Sequence, residues 1–188
     1  SRDVAAVRLD TTGLQLLYTY EKTTGESRVL LPDLKAGYFF YYNQTTLVTA
    51  VLSGTGMDLI LNDLDSASSK VLIQNIGRSI HKVPQSNYIS YTISNENNEQ
   101  DLYLLDLEKE EPESFFLCTL PAGVQDYAWL DQNRIILGKG TEIFVYDMLG
   151  KSEWEPIANL AKYGLRNITR IAINDSGTNI DLLAENDY

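Results

Sequence analysis

The chain has 188 residues, with 15 lysines and arginines against 26 aspartates and glutamates, and its formal net charge is −11. A chain of this length can bury a core without disulfides or a structural metal, and its single cysteine, Cys118, excludes an intrachain disulfide. The acidic surface argues against nucleic acid as a partner, and the longest apolar stretch, Ala36 to Tyr42, is too short to span a membrane.

The start of the chain carries no secretory signal. Ser1-Arg2-Asp3 leads directly into an apolar alternation from Val4, without a charged region followed by a hydrophobic one. We therefore expect either a cytoplasmic protein or a chain that begins after a segment has been removed.

The most informative feature is an internal repeat. Four segments share an apolar run that ends in a polar residue, and their matched positions are Thr19, Asp63, Asp106 and Asp147. These positions lie 44, 43 and 41 residues apart. A period in the low forties that consists of strands is typical of β-propeller blades.

Strand-like runs separated by turn residues fill each repeat. The first repeat has three, at 4–9, 14–20 and 28–31. The next three repeats have four each, at 38–42, 47–52, 58–64 and 70–73, then 79–83, 88–93, 101–107 and 115–120, then 126–130, 134–137, 142–148 and 154–160. Two further runs follow at 168–173 and 179–184, and the only hint of helical periodicity is at 157–163.

This pattern predicts an all-β fold of four-stranded antiparallel blades, in one propeller domain over 1–188. The predicted divisions are a partial first blade at 1–35, blades at 36–76, 77–122 and 123–165, and the start of a further blade at 166–188. Because the runs do not make a whole number of four-stranded blades, we expect the missing strands to lie before Ser1.

Two sets of residues resemble known repeats. The run Asp101-Leu102-Tyr103-Leu104-Leu105-Asp106 resembles the TolB-like, WD40-like (PD40) propeller repeats. The segments 74–84, 126–129 and 138–144 resemble a group of secreted bacterial TolB-like six-bladed propellers, over nearly the whole chain, although the aromatic run 38–43 departs from that pattern. The resemblance implies a periplasmic or secreted protein with a signal peptide and further blades upstream, and it implies no catalytic activity.

Function in propellers usually lies at the rim of the central channel, where the first strands of the blades converge. Alignment of these strands places Tyr38, Ser79 and Asp126 in one column, with His81 two residues further along on the same face. Arginines flank this column. The predicted ligand- or partner-binding residues are Tyr38, Arg78, Ser79, His81, Asp126 and Arg170.

The two arginines allow two interpretations. A positive mouth in an acidic protein would attract a small anionic ligand or an acidic peptide end. Alternatively, Arg78 and Arg170 pair with carboxylates of neighbouring blades and hold the ring together.

Catalytic and cofactor motifs are not found in the sequence. His81 is the only histidine, which excludes a site of several histidines for a metal. Ser79, His81 and Asp126 have the residue types of a nucleophilic triad, but Ser79 and His81 stand two apart on one predicted strand without a nucleophile elbow. Gly138-Lys139-Gly140-Thr141 lacks the spacing of a phosphate-binding loop. We predict no catalytic residue, no metal and no cofactor.

Two functions remain open. The first is a non-enzymatic propeller that binds a protein or peptide at its channel rim. The alternative is a substrate-binding or gating propeller of a peptidase or glycan-processing enzyme whose catalytic part lies outside this sequence.

Overall fold

The computed structural model describes residues 3–174 and 176–186. The chain forms two compact units, which meet in the sequence between Arg78 and Ser79. In the described residues the regular structure consists of antiparallel strands, apart from one short 3₁₀ turn at Ala161–Tyr163. None of these residues forms a helix long and apolar enough to cross a membrane.

The first unit contains one three-stranded and one four-stranded sheet. The three-stranded sheet has the order β1 (Asp3–Leu9), β2 (Gln15–Glu21) and β3 (Ser27–Leu31). The four-stranded sheet has the order β4 (Ala36–Tyr41), β5 (Thr46–Ser53), β6 (Gly56–Asp63) and β7 (Ser68–Ile76). Leu17, Ala36 and Leu47 are fully buried between these sheets, with Phe39 packed against them.

The second unit contains two four-stranded sheets and one two-stranded sheet. The first sheet comprises β8 (Ile80–Lys82), β9 (Tyr88–Ser94), β10 (Gln100–Asp106) and β11 (Ser114–Thr119). The second comprises β12 (Ala128–Trp129), β13 (Arg134–Lys139), β14 (Glu142–Asp147) and β15 (Trp154–Asn159). The third pairs β16 (Leu165–Ile173) with β17 (Ile180–Asn186).

Local sequence explains why these strands form hairpins. The central strand β13 carries Ile135, Ile136 and Leu137 in succession, all fully buried, as expected for a strand covered on both faces. Short polar side chains fix the turns, since Asp147 Oδ1 accepts the backbone N–H of Leu149 at 2.9 Å. Such Asx turns reverse the chain without loss of backbone hydrogen bonds.

A glycine positions β16 against the preceding sheet. A Cβ added at Gly138, on β13, would lie 2.7 Å from Cβ of Ile168 and overlap its side chain. Ile168 is buried in a cluster with Ile136, Ile143 and Ile171. The missing side chain therefore lets β16 approach β13 closely, and this approach places the backbone of Ile171 at the site described below.

The predicted all-β fold of four-stranded antiparallel sheets is confirmed. In the described residues each of the 17 predicted runs overlaps an observed strand. The hint of helix at 157–163 is wrong, because Trp154–Asn159 is a strand and only the 3₁₀ turn follows it. Ser79 and Asp126 lie just before β8 and β12 rather than within them. That all of 1–188 forms one propeller domain, with the blade limits given above, stays a prediction.

Candidate functional site

The side chain of Asp126 connects three sheets of the second unit. Its Oδ1 accepts a hydrogen bond from the Ser79 hydroxyl at 2.7 Å. Its Oδ2 accepts the backbone N–H of Ile171 at 3.4 Å. Ser79 precedes β8, Asp126 precedes β12 and Ile171 lies in β16, so one carboxylate joins the first strands of three successive sheets. The Ser79 side chain is buried at this junction.

His81 lies beside this carboxylate on β8. Its ring packs on the ring of Tyr127, with centroids 4.6 Å apart and planes at 58°. Its Nε2 is buried and has no hydrogen-bond partner among the residues that the structure describes. Burial lowers the pKa of His81 to about 4, and the charge of Asp126 opposes that shift in part. The imidazole is therefore neutral at pH 7.

A second hydrogen-bonded group fixes Tyr127 against His81. The hydroxyl of Tyr127 and the Nε1–H of Trp129 both donate to Ser90 Oγ, each at 2.8 Å. Ser90 is fully buried and lies opposite His81 in the β8–β9 register. Burial raises the pKa of the Tyr127 phenol, which stays protonated and keeps donating. Ser79, His81, Ser90, Asp126 and Tyr127 are hereafter called the Asp126 cluster.

Arg170 lies on β16 next to Ile171 but on the other face of the strand. Its side chain is exposed, and it stands opposite Leu183 of β17, whereas Ile171 is buried. Successive strand residues point to opposite faces, so the Ile171 backbone serves Asp126 while the Arg170 side chain remains at the surface.

The other two predicted residues belong to the first unit. Tyr38 is half-buried on β4, opposite Ala50, directly after the register shift that follows Ala36. Arg78 follows β7 and is half-buried, and its Nε is buried without a hydrogen-bond partner in the described part of the chain. Whether Arg78 and Arg170 bind an anion or stabilise the fold stays a prediction.

Of the six predicted residues, the structure thus brings three together: Ser79, His81 and Asp126. Sequence reasoning missed Tyr127, Ser90 and the backbone of Ile171. The alternation after Asp126 places Tyr127 and Trp129 on one face, and the short β8–β9 hairpin places Ser90 opposite His81. The sequence contained both signals, but it did not show which side chains form hydrogen bonds between sheets.

The geometry differs from that of a nucleophilic triad. In a triad the serine hydroxyl donates to histidine, and the carboxylate orients the same histidine. Here the Ser79 hydroxyl donates to Asp126 instead. Among the described residues, no three histidine, cysteine or acidic side chains group closely enough to hold a metal ion. The arrangement is suited to hydrogen bonding by a neutral imidazole beside a carboxylate.

Comparisons with known proteins give a fold and no family. No protein-family model and no curated protein sequence matches the chain. TolB from Acinetobacter baumannii is similar in structure, with a TM-score of 0.63 and 13% identity over 98% of this chain. The nidogen/laminin complex gives 0.69 with 10% identity over 97% of this chain, and oligogalacturonate lyase in complex with manganese gives 0.58 with 14% identity over 98%.

These likenesses confirm a β-propeller fold of the kind found in TolB. This chain spans 52% of the TolB chain, 68% of the chain in the nidogen/laminin complex and 62% of the lyase. At such low identity the likeness extends to the fold alone. The resemblance to PD40 repeats stays a prediction.

Proposed function

We propose that this chain is part of a non-enzymatic propeller that binds a protein or peptide partner at the rim formed by its first strands. The Asp126 cluster is the centre of the proposed site, and Arg170, in the same unit, is a further member. Tyr38 and Arg78, in the first unit, are proposed separately as partner-binding residues. The observation that carries the proposal is the buried Nε2 of His81, which has no hydrogen-bond partner among the described residues.

Buried polar atoms in folded proteins are almost always hydrogen-bonded to protein or to ordered water, so an atom without a protein partner marks a place where a donor or acceptor can bind. A neutral imidazole nitrogen can donate to a carbonyl or accept from an N–H, depending on its tautomer. Both groups are present in every peptide backbone. Asp126 already accepts two hydrogen bonds and holds its strands in place, which leaves His81 to contact the partner.

Arginines at such a rim would add selectivity for charge. In a protein of net charge −11, an exposed arginine such as Arg170 offers a local positive group to an acidic side chain or a terminal carboxylate. A small anionic ligand would use the same groups, so acetate and phosphate belong among the probes.

We also propose a periplasmic or secreted location. The resemblance of 74–84, 126–129 and 138–144 to secreted TolB-like propellers supports it. Fractionation of cells that express the full gene tests it, and recovery of the protein in the cytoplasm would overturn it.

Protein binding has a precedent among the structural neighbours, since one of them is a chain of the nidogen/laminin complex. The alternative is a propeller that serves a peptidase or glycan-processing enzyme whose catalytic part lies outside this sequence. Its glycan-processing form has one neighbour in its favour, oligogalacturonate lyase.

Selection from a displayed library of random dodecapeptides tests the proposal, because it samples many peptide sequences at once. Peptides that bind the wild-type protein are then measured against His81→Leu and Asp126→Asn by fluorescence anisotropy. We expect at least tenfold weaker binding for both variants. Lys151→Ala is the matched control, because Lys151 is exposed and pairs with Glu153 and Glu155 of its own hairpin.

Three results would contradict the proposal. One is selection of no peptide, and another is binding that His81→Leu and Asp126→Asn leave unchanged while both variants remain folded by circular dichroism. The third is tight binding of trigalacturonate in a calorimeter that His81→Leu removes, which would favour the glycan-processing alternative. If acetate or phosphate binds and no peptide does, the ligand of the site is a small anion and not a peptide.

A further inference from the structure

A second candidate binding surface is the unpaired edge of the sheet at strand β11. β11 is the last strand of its sheet, and no other strand pairs with its outer side in the described part of the chain. An unpaired edge presents a row of backbone N–H and C=O groups that can template another strand, so proteins normally protect such edges.

Three corresponding edge strands carry protection that β11 lacks. β3, β7 and β15 are also the last strands of their sheets. β3 contains Arg28, β7 contains Lys70, and β15 contains Glu155 with Pro156. The sequence of β11, Ser-Phe-Phe-Leu-Cys-Thr, has no charge and no proline. Because charges and prolines are the usual means of blocking edge pairing, β11 is the open edge among the four.

Exposed aromatic side chains give this edge an apolar surface. Phe115 and Phe116 are 43% and 58% exposed, on opposite faces of the strand. Tyr91, Tyr103 and Phe116 form a ladder across the sheet, with successive ring centroids 5.7 and 5.8 Å apart. The ladder ends at the exposed ring of Phe116. A strand added at this edge would extend it, and cross-strand aromatic pairs stabilise sheets.

The charges beside β11 indicate what kind of strand fits. The turn before it, Glu108-Lys109-Glu110-Glu111-Pro112-Glu113, has four carboxylates and one lysine, which pairs with Glu113 at 3.2 Å. This acidic end attracts a basic segment. A second copy of the chain is disfavoured, because each copy carries a net charge of −11.

We propose that β11 binds an extended peptide segment of a partner as an added antiparallel strand. The segment has apolar and aromatic residues that pair with β11, followed by lysines or arginines at its C-terminal end. In an antiparallel pair the C-terminal end of the added strand lies next to the N-terminal end of β11, where the acidic turn is. Backbone hydrogen bonds supply the affinity, and the ladder and the charges supply the selectivity.

The experiment uses two labelled decapeptides of identical composition. The first alternates threonine with valine and tyrosine and ends in three lysines, and the second begins with the three lysines. We expect the first to bind the wild-type protein at least fivefold more tightly than the second in fluorescence anisotropy at low salt. Slower hydrogen exchange of the β11 amides in the complex locates the added strand.

Phe116→Lys introduces a charge at the edge and should weaken binding at least tenfold. Glu110→Gln combined with Glu111→Gln should remove most of the difference between the two peptides. Ile157→Lys is the matched control, because Ile157 is 54% exposed on the protected edge strand β15. It should leave binding unchanged.

Several outcomes would overturn the proposal: no binding of either peptide, tighter binding of the second peptide, or equal loss for Phe116→Lys and Ile157→Lys. A dimer in sedimentation that Phe116→Lys dissociates would assign the edge to a second copy instead. Circular dichroism of Phe116→Lys confirms that a loss of binding is not a loss of fold.

Discussion

Two clusters of polar side chains in this chain differ in where their hydrogen bonds lie. One is bonded within a single sheet, and the other is bonded between sheets. In the first unit, the buried Thr49 and Asn62 and the exposed Ser69, here called the Asn62 cluster, lie within the single sheet β4–β7. Asn62 Nδ2 donates to Leu47 O at 3.1 Å and to Thr49 Oγ1 at 3.0 Å, and its Oδ1 accepts from Ser69 Oγ at 2.7 Å. In the second unit, the Asp126 cluster draws its members from two sheets, accepts a backbone hydrogen bond from a third, and leaves His81 Nε2 unpaired among the described residues.

The difference separates a structural role from a binding role. An amide whose donors and acceptor are all paired inside one sheet has no group left for a ligand, so the Asn62 cluster serves stability. A cluster with a buried nitrogen that no protein group pairs keeps one hydrogen-bonding position available. Such an atom is where a partner can gain the most from a hydrogen bond. Three substitutions and one change of pH test this contrast.

The largest effect is expected at the Asn62 cluster. Asn62→Leu removes the buried amide that donates to Leu47 O and to Thr49 Oγ1, and each buried polar group left without its hydrogen bond costs about 1–3 kcal/mol. We expect the free energy of unfolding, measured in urea, to fall by about 3–4 kcal/mol. Binding of the selected peptides should not change.

Ser69→Ala is the control for this prediction. It removes one hydrogen bond at the periphery of the same cluster and should lower stability by no more than about 1 kcal/mol. Equal losses for Asn62→Leu and Ser69→Ala would show that Asn62 is not the centre of the cluster.

The next effect is a pH dependence of stability through His81. Its pKa is about 4 in the folded chain and close to 6.5 when unfolded, so folding favours the neutral form. The stabilisation is fully present above pH 6.5 and is lost as the pH falls from 6.5 to 4, by about 3 kcal/mol in all. Urea unfolding at pH 7 and pH 4.5 measures it.

Because His81 is the only histidine, the difference in pH dependence of stability between the wild type and His81→Gln isolates the contribution of its imidazole. The variant keeps a polar group but cannot titrate, so its stability should change less between pH 7 and pH 4.5 than that of the wild type. Carboxylates that titrate in this range contribute to both proteins alike. Parallel pH curves for the two would show that the imidazole titrates as it does in water.

A smaller effect is expected for Asp126→Asn. The variant can still accept from Ser79, but its amide N–H₂ meets the N–H of Ile171 in place of Oδ2, which should cost about 1–2 kcal/mol. Loss of the negative charge also removes the interaction that raises the pKa of His81. The pH dependence of stability should therefore move to lower pH, which distinguishes this prediction from simple destabilisation.

The contrast between the clusters also shows what the sequence could predict. Strand periodicity placed all the strands and aligned Ser79 with Asp126, because alternation and turn residues are local signals. Local signals do not say which sheets exchange side-chain hydrogen bonds. The donors from Tyr127 and Trp129 to Ser90, and the absence of a partner at His81 Nε2 among the described residues, depend on packing between sheets, so sequence alone could not reveal them.

The smallest effect is expected for Tyr127→Phe, and it tests whether the two hydrogen-bonded parts of the Asp126 cluster act together. The substitution removes one hydrogen bond to Ser90, which keeps the one from Trp129, so stability should fall by about 1 kcal/mol. The ring contact with His81 remains. If the position of the Tyr127 ring is enough to hold His81 in its binding orientation, the affinity of the selected peptides for Tyr127→Phe should lie within about threefold of their affinity for the wild type. A tenfold loss would mean that the hydroxyl also fixes the orientation of the ring, and that Ser90 belongs to the binding site as well as to the core.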